Sequence, residues 1–202
     1  MSDEKTSWLS RIALVLVIGF IACVWYFGFQ IVRVSGQSMN DTLHDGQTGL
    51  SMKFKNQKST PIKQNDIIIF DGTKADPNDE RVQNGKTTYF IKRVIATEGQ
   101  TVTFDGNDVY VNNKKIQQSY LSNVNKTYGT ASGQFGTWSL NELSTQSTWK
   151  QEDKGTNKVP KNSYFVMGDN RTNSEDSRYF GYVPAKDVKA IMIVKWKEPS
   201  HD

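Results

Sequence analysis

Residues Ile12 to Val32, IALVLVIGFIACVWYFGFQIV, form a run that is apolar apart from Gln30. About 20 apolar residues suffice to cross a hydrocarbon core as a helix, so the run predicts a single transmembrane anchor over residues 12–32. A short N-terminus, residues 1–11, precedes it and a polar domain, residues 33–202, follows. Trp25, Tyr26 and Phe29 cluster toward the far end of the run, as an interfacial aromatic belt does. A cleaved signal peptide is the rival reading, because Lys5 and Arg11 supply a weak basic leader region. The run is too long for a typical leader core, and no Ala-x-Ala lies just beyond it. Ala22-Cys23 makes a poor lipoprotein cleavage site behind Phe20 and Ile21. The anchor is therefore expected to stay attached.

The mean hydropathy of -0.60 conceals this asymmetry. With 202 residues, 36% hydrophobic and 23% charged, the chain can bury one real core but is short for two large domains. The only cysteine, Cys23, lies in the anchor, so the polar domain has neither disulfides nor thiol chemistry. Of the formal charge of +4, residues 1–33 carry +1 and the other 169 residues +3. So mild a basic excess fits an anionic envelope and gives no reason to expect nucleic acid as a partner.

Beyond the anchor, runs rich in β-branched and aromatic residues predict strands: Asp66–Phe70, Thr87–Ala96, Thr101–Phe104, Asp108–Asn112, Ser163–Gly168 and Val188–Trp196. Asp71-Gly72, Glu98-Gly99, Asp105-Gly106-Asn107 and Asn112-Asn113 punctuate them as turns. No helical crossover separates the runs. The expected fold class is mostly β, an antiparallel sheet or open barrel behind the N-terminal helix. Residues 56–65, 73–86 and 113–162 read as surface excursions. The last is too long for a bare loop and is expected to be a small inserted subdomain, anchored by Trp138 and Trp149 and with a short helix near Ser139–Thr145.

The residue inventory limits the chemistry. His44 and His201 are the only histidines, so a Ser-His-Asp triad would need His44 to fold back onto Ser38. A cysteine nucleophile and a zinc site of several His and Cys ligands are excluded. A hydrolase is left with a Ser-Lys pair or with carboxylates and a metal. A lysine base needs an apolar neighbourhood that disfavours its ammonium form. Lys92 has one in FIKRVIA, where strand alternation puts Phe90, Lys92 and Val94 on one face and Ile91, Arg93 and Ile95 on the other. The plain alternative is an edge-strand or snorkelling lysine. Ser38, in VSGQSMNDTLHDGQ, has the equally plain alternative of a turn serine. GDNRTNSEDSRYFG, Gly168 to Gly181, packs two arginines and several acids against apolar strands, which suits ion pairs that stiffen a loop beside a site.

Taken together, Ser38-Met39 with Thr42-Leu43, then Lys92-Arg93-Val94, then Gly168-Asp169-Asn170-Arg171 through Ser174, Asp176-Ser177-Arg178 and Phe180-Gly181 resemble the type I signal peptidases, bacterial membrane-bound Ser-Lys endopeptidases. The resemblance implies Ser38 as acylating nucleophile and Lys92 as general base, with no metal or cofactor. It implies that Ser174 orients Lys92 while Asp176 and Arg178 support the loop. It further implies secretory preproteins as substrates, cut after Ala-x-Ala, with membrane lipid met through one span. The single-span form resembles Gram-positive enzymes, with the N-terminus cytoplasmic and the catalytic domain outside. An extended substrate would lie along Val34–Gly36 and Thr88–Ile91, its small side chains in shallow pockets lined by Val34, Gly36, Met39, Leu43, Phe90 and Ile91.

Two positions depart from the family pattern. Asp41 stands where proline usually precedes the threonine, so the turn lacks that stiffening. Gly36 stands where some relatives have an oxyanion-binding serine, which leaves backbone N–H groups, chiefly that of Ser38. A self-cleaving Ser-Lys repressor-type protease and a catalytically silent envelope scaffold are the competing readings. The first would be soluble and joined to a DNA-binding module; the second would not need Ser38, Lys92, Ser174 and Asp176 together.

Overall fold

The computed structural model describes residues 2–75, 88–105, 108–126 and 136–195. Helix α1, Ser2–Gly28, opens the chain, and its stretch Ser10–Gly28, mean hydropathy 2.1, is long and apolar enough to cross a membrane; none of that stretch is buried against the rest of the fold. The helix stops short of the end of the apolar run. Phe29–Arg33 is strand β1, paired from Phe29↔Met52 to Arg33↔Thr48 with β2, Thr48–Lys53. Residues 29–32, read as part of the anchor, are thus extended: aromatic and β-branched residues fit either state, and a neighbouring strand decides between them. The Lys53 ammonium donates to the Tyr26 carbonyl at 2.6 Å, capping one of the orphan carbonyls at the helix end.

Nine more strands follow among the described residues: β3 (Ile67–Asp71), β4 (Tyr89–Thr97), β5 (Val102–Asp105), β6 (Asp108–Val111), β7 (Lys114–Lys115), β8 (Trp138–Ser139), β9 (Ser163–Met167), β10 (Val183–Pro184) and β11 (Val188–Lys195). One sheet has the order β1-β2-β11-β3-β4-β9-β10 and the other β7-β6-β5-β8, every pairing antiparallel. The expected mostly β, antiparallel architecture is what the chain adopts. All six expected strands are present, shifted by a residue or two at their ends. Thr87, Gly106-Asn107, Trp196, His201, residues 76–86 of the second excursion and residues 127–135 of the third lie outside the described residues. Strand β2 was not expected, since TGLSMK has little intrinsic strand preference; it forms because β1 and β11 pair with it on both sides.

Strand β9 is buried along its whole length. Its alternate side chains serve two cores: Tyr164 and Val166 join Phe70, Phe90 and Val94, while Phe165 and Met167 join Phe104, Trp138 and Tyr182. Trp138 and Trp149 are both 2% exposed in the second core, so the polar segment 113–162 is fastened through its tryptophans. Within it Leu140–Leu143 makes one helical turn. The Ser139 hydroxyl accepts from the Glu142 N–H and the Glu142 carboxylate accepts from the Ser139 N–H, the capping box that S-x-x-E encodes.

Candidate active site

The loop from Val34 to Gln47 is closed at its base by Val34 N–H to Gln47 O at 2.7 Å and Gly46 N–H to Val34 O at 2.9 Å. Inside it, Asn40 N–H bonds Gln37 O at 3.1 Å, which sets Ser38 at the first central position of a tight turn five residues beyond β1. Gly36 has φ +95 and its N–H donates to Asp45 Oδ1 at 2.8 Å. A serine at 36 would be strained in this backbone, so the glycine belongs to the loop's own geometry.

Lys92 arrives from β4 and donates from Nζ to Ser38 Oγ at 2.7 Å. The lysine is 5% exposed, with Nζ 5.6 Å from the Phe90 ring centroid. It is not a snorkelling residue, since its side chain is buried and its Nζ ends on the serine; β4 pairs with β3 at this point and with β9 from Arg93 onward, so the lysine stands where the strand borders the serine loop. His44 is exposed, and its backbone N–H donates to Gln47 Oε1 at 3.0 Å.

Behind this pair lies the turn 168–178. The Ser174 hydroxyl donates to Asp176 Oδ2 at 2.8 Å; Gly168 N–H donates to the same oxygen at 3.0 Å. Arg178 grips both carboxylate oxygens, Nε to Oδ1 at 2.9 Å and Nη2 to Oδ2 at 3.0 Å, and adds its own N–H to Oδ1 at 3.2 Å. Asp176 is fully buried, which works against its charge. The Arg178 guanidinium and these hydrogen bonds outweigh that burial, with Lys92 a further cation in range, and hold the carboxyl below its usual value. Gly168 stands where these parts converge: a Cβ there would strike the Ser174 hydroxyl and the Ser38 carbonyl.

A second buried ion pair was not assigned a role from sequence. Arg93 binds Asp169 through Nε–Oδ1 at 2.8 Å and Nη2–Oδ2 at 2.6 Å, and also reaches the Thr42 hydroxyl at 3.2 Å. Its guanidinium lies over the Tyr120 ring, 3.8 Å from the centroid. Arg171, 1% exposed, donates to the Gly168 carbonyl at 3.0 Å and to Tyr120 Oη at 3.5 Å. Burial lowers the Arg171 guanidinium and raises the Tyr120 phenol. The available signal was Arg93 alternating with Ile91 and Ile95, a cation in an apolar row that demands a buried acid. The acid itself, 76 positions away, could not be picked out among 21 carboxylates.

A cleft between the serine loop and β4 is lined by Ser38, Lys92 and five of the six residues expected to bind substrate: Val34, Gly36, Met39, Phe90 and Ile91. Leu43 is the exception. Its N–H bonds Met39 O at 2.7 Å, curling the chain so that its side chain, 1% exposed, packs beneath Val34 and Met39. Strand β9 joins β4 only from Arg93 onward, and the preceding stretch Tyr89–Lys92 borders the cleft. Ser35, Tyr89 and Ile91 continue into a cavity of about 530 Å3 that includes Val32 and Ile69, which sequence reasoning did not single out.

The family profile described as "Signal peptidase, peptidase S26" matches residues 5–196. Signal peptidase I V of Bacillus subtilis is 34% identical over 160 residues, 79% of this chain and 81% of its own. Signal peptidase IB of Staphylococcus aureus is 31% identical over 188 residues, 93% of this chain and 87% of its own. A crystal structure of a signal peptidase I from Enterococcus faecalis superposes with a TM-score of 0.48 at 26% identity, covering 65% of this chain and 97% of that one.

Proposed function

This chain belongs to the signal peptidase family, the serine endopeptidases of peptidase S26, and from that premise we propose that it removes signal peptides from exported preproteins with a Ser38-Lys92 dyad. The observation that carries the reading is the 2.7 Å contact between Lys92 Nζ and Ser38 Oγ, made by a lysine that is 5% exposed. Burial disfavours an ammonium, and a neutral amine at that distance is placed to accept the hydroxyl proton.

Ser38 Oγ attacks the scissile carbonyl carbon as Lys92 takes its proton. The tetrahedral intermediate collapses with cleavage of the C–N bond, and Lys92 gives the proton to the departing amine of the mature protein. Water then attacks the Ser38 ester, losing a proton to Lys92; the acyl C–Oγ bond breaks as Lys92 returns that proton to Ser38 Oγ, and the signal peptide leaves as a carboxylic acid that ionises in solvent. Ser174, fixed by Asp176 and Arg178, orients the lysine without exchanging protons with the substrate. The oxyanion is held by backbone N–H groups, chiefly that of Ser38. The substrate lies extended against Tyr89–Ile91 and Val34–Gly36, and the narrow cleft admits small side chains, in keeping with Ala-x-Ala. Helix α1 spans the membrane with the catalytic domain outside the cytoplasm, so the cleft meets signal peptides where they leave the bilayer.

Incubation of the detergent-solubilised protein with a preprotein, followed by mass spectrometry of the products, tests the reading. Wild type should release a mature chain cut after Ala-x-Ala, and Ser38→Ala should release none. Lys92→Arg should also be inactive although it keeps the charge, because guanidinium does not give up its proton in this range. Cleavage by Lys92→Arg at near wild-type rate would remove Lys92 as the base.

A further inference from the structure

We propose that Asp41 and Asn125 are positioning residues that brace the nucleophile turn, so that part of the polar segment 113–162 belongs to the catalytic apparatus. Asp41 lies three residues after Ser38. Its Oδ2 accepts from the Ser122 backbone N–H at 2.6 Å and from Asn125 Nδ2 at 2.9 Å, contacts that span 81 and 84 residues of chain. Asn125 is 6% exposed, and its Oδ1 accepts from the Thr172 N–H at 3.3 Å. One amide therefore ties the turn that carries Ser38 to the turn that carries Ser174. A carboxylate with two donors on one oxygen is a stronger tether than a neutral pair, and a buried amide with both ends engaged has little freedom to turn.

The same segment presses on the site from a second direction. Tyr120 stacks on Arg93, and Arg93 also holds Thr42, the residue after Asp41. Residues 120–125 thus fix the chain just beyond Ser38 at two adjacent positions, from opposite ends of a short stretch. Other ties hold this loop on both sides of the nucleophile: Asn170 N–H to the Ser38 carbonyl at 3.0 Å and Asn170 Nδ2 to the Gln37 carbonyl at 3.0 Å before or at it, and Lys195 Nζ to the Thr42 carbonyl at 2.9 Å beyond it. Without the Asp41 contacts the chain beyond Ser38 would keep its ties at Thr42 but lose those at Asp41, one residue nearer the nucleophile. The Ser38 hydroxyl would then sample positions away from Lys92, and a small misplacement of reacting groups is costly in rate.

This inference rests on the signal-peptidase reading, and its test separates the two. Preprotein cleavage is measured for wild type, Asp41→Ala, Asn125→Ala, the double variant and Asp41→Asn. Backbone amide exchange at Ser122 and Thr172 is followed in the same proteins. Asp41→Ala and Asn125→Ala should each lower kcat about tenfold with KM little changed, the signature of lost positioning. The double variant should be no slower than either single one, because one tether is being cut twice. Asp41→Asn keeps an oxygen for both donors and should recover to within about threefold of wild type. Ser122 should exchange faster in Asp41→Ala and regain protection in Asp41→Asn. Unchanged kcat in Asp41→Ala, additive losses in the double variant, or unchanged exchange at Ser122 would each overturn the brace while leaving the Ser38-Lys92 reading intact. A wild type that cleaves no preprotein would instead overturn the reading beneath it.

Discussion

Asp176 receives hydrogen bonds from Gly168, Ser174 and, through three nitrogens, Arg178, all within a site closed to water. Asp176→Asn keeps the shape but removes the carboxylate charge that the buried Arg178 guanidinium grips through both oxygens, at a cost of roughly 3–5 kcal/mol. Thermal stability and cleavage should fall together. A lost activity with an unchanged melting temperature would assign Asp176 a direct catalytic role instead. The pH dependence has a definite sign. Because the folded-state value is lowered, the unfolded chain binds more protons between that value and about 3.9, so stability rises with pH across the window. The contribution is complete above the unfolded value and is lost as acid drives the pH down through the folded one. The acid limb of an unfolding titration should therefore flatten in Asp176→Asn. At this scale the sequence was readable for residue types: a lysine in an apolar strand and a turn dense in Arg and Asp. It did not say that Arg93 would close on Asp169, because many carboxylates satisfy the same local pattern.

Strand β4 and the turn after β9 meet the serine loop at one crowded point, and Gly168 is the element boundary that lets them meet. Gly168→Ala should push Ser174 and the Ser38 backbone apart, lowering stability by about 1–3 kcal/mol and cleavage by more than that loss alone explains. Differential scanning calorimetry beside the cleavage assay reads both, and wild-type values in each would show that the contact has slack. The strands around this point were legible because β-branched and aromatic runs bounded by turn residues encode period 2 locally. β1 and β2 were not. One was hidden in an apolar run that suits a helix equally well, and the other has its place only through pairing with β1 and β11.

For the molecule as a whole, α1 passes into β1 without a linker, so the distance from the helix end to Ser38 is set by one short strand and a turn. If the helix spans the bilayer with its N-terminus inside, the cleft sits near the outer membrane surface. Protease shaving of intact protoplasts should then remove residues beyond the helix and leave a small protected fragment. Full protection of the chain would place the catalytic domain on the other side.

A membrane-length apolar helix, a mostly β domain behind it and a lysine set in an apolar strand were legible in the chain, because hydropathy and side-chain alternation are written in neighbouring residues. The packed fold settles where the helix ends, that Leu43 lies beneath the cleft, and that Asp41 is held by Ser122 and Asn125. It also decided that Lys92 reaches a serine 54 positions away. Each of these depends on which strand lies beside which, and hydrogen bonds or ion pairs between distant segments leave no periodic trace in the chain that makes them.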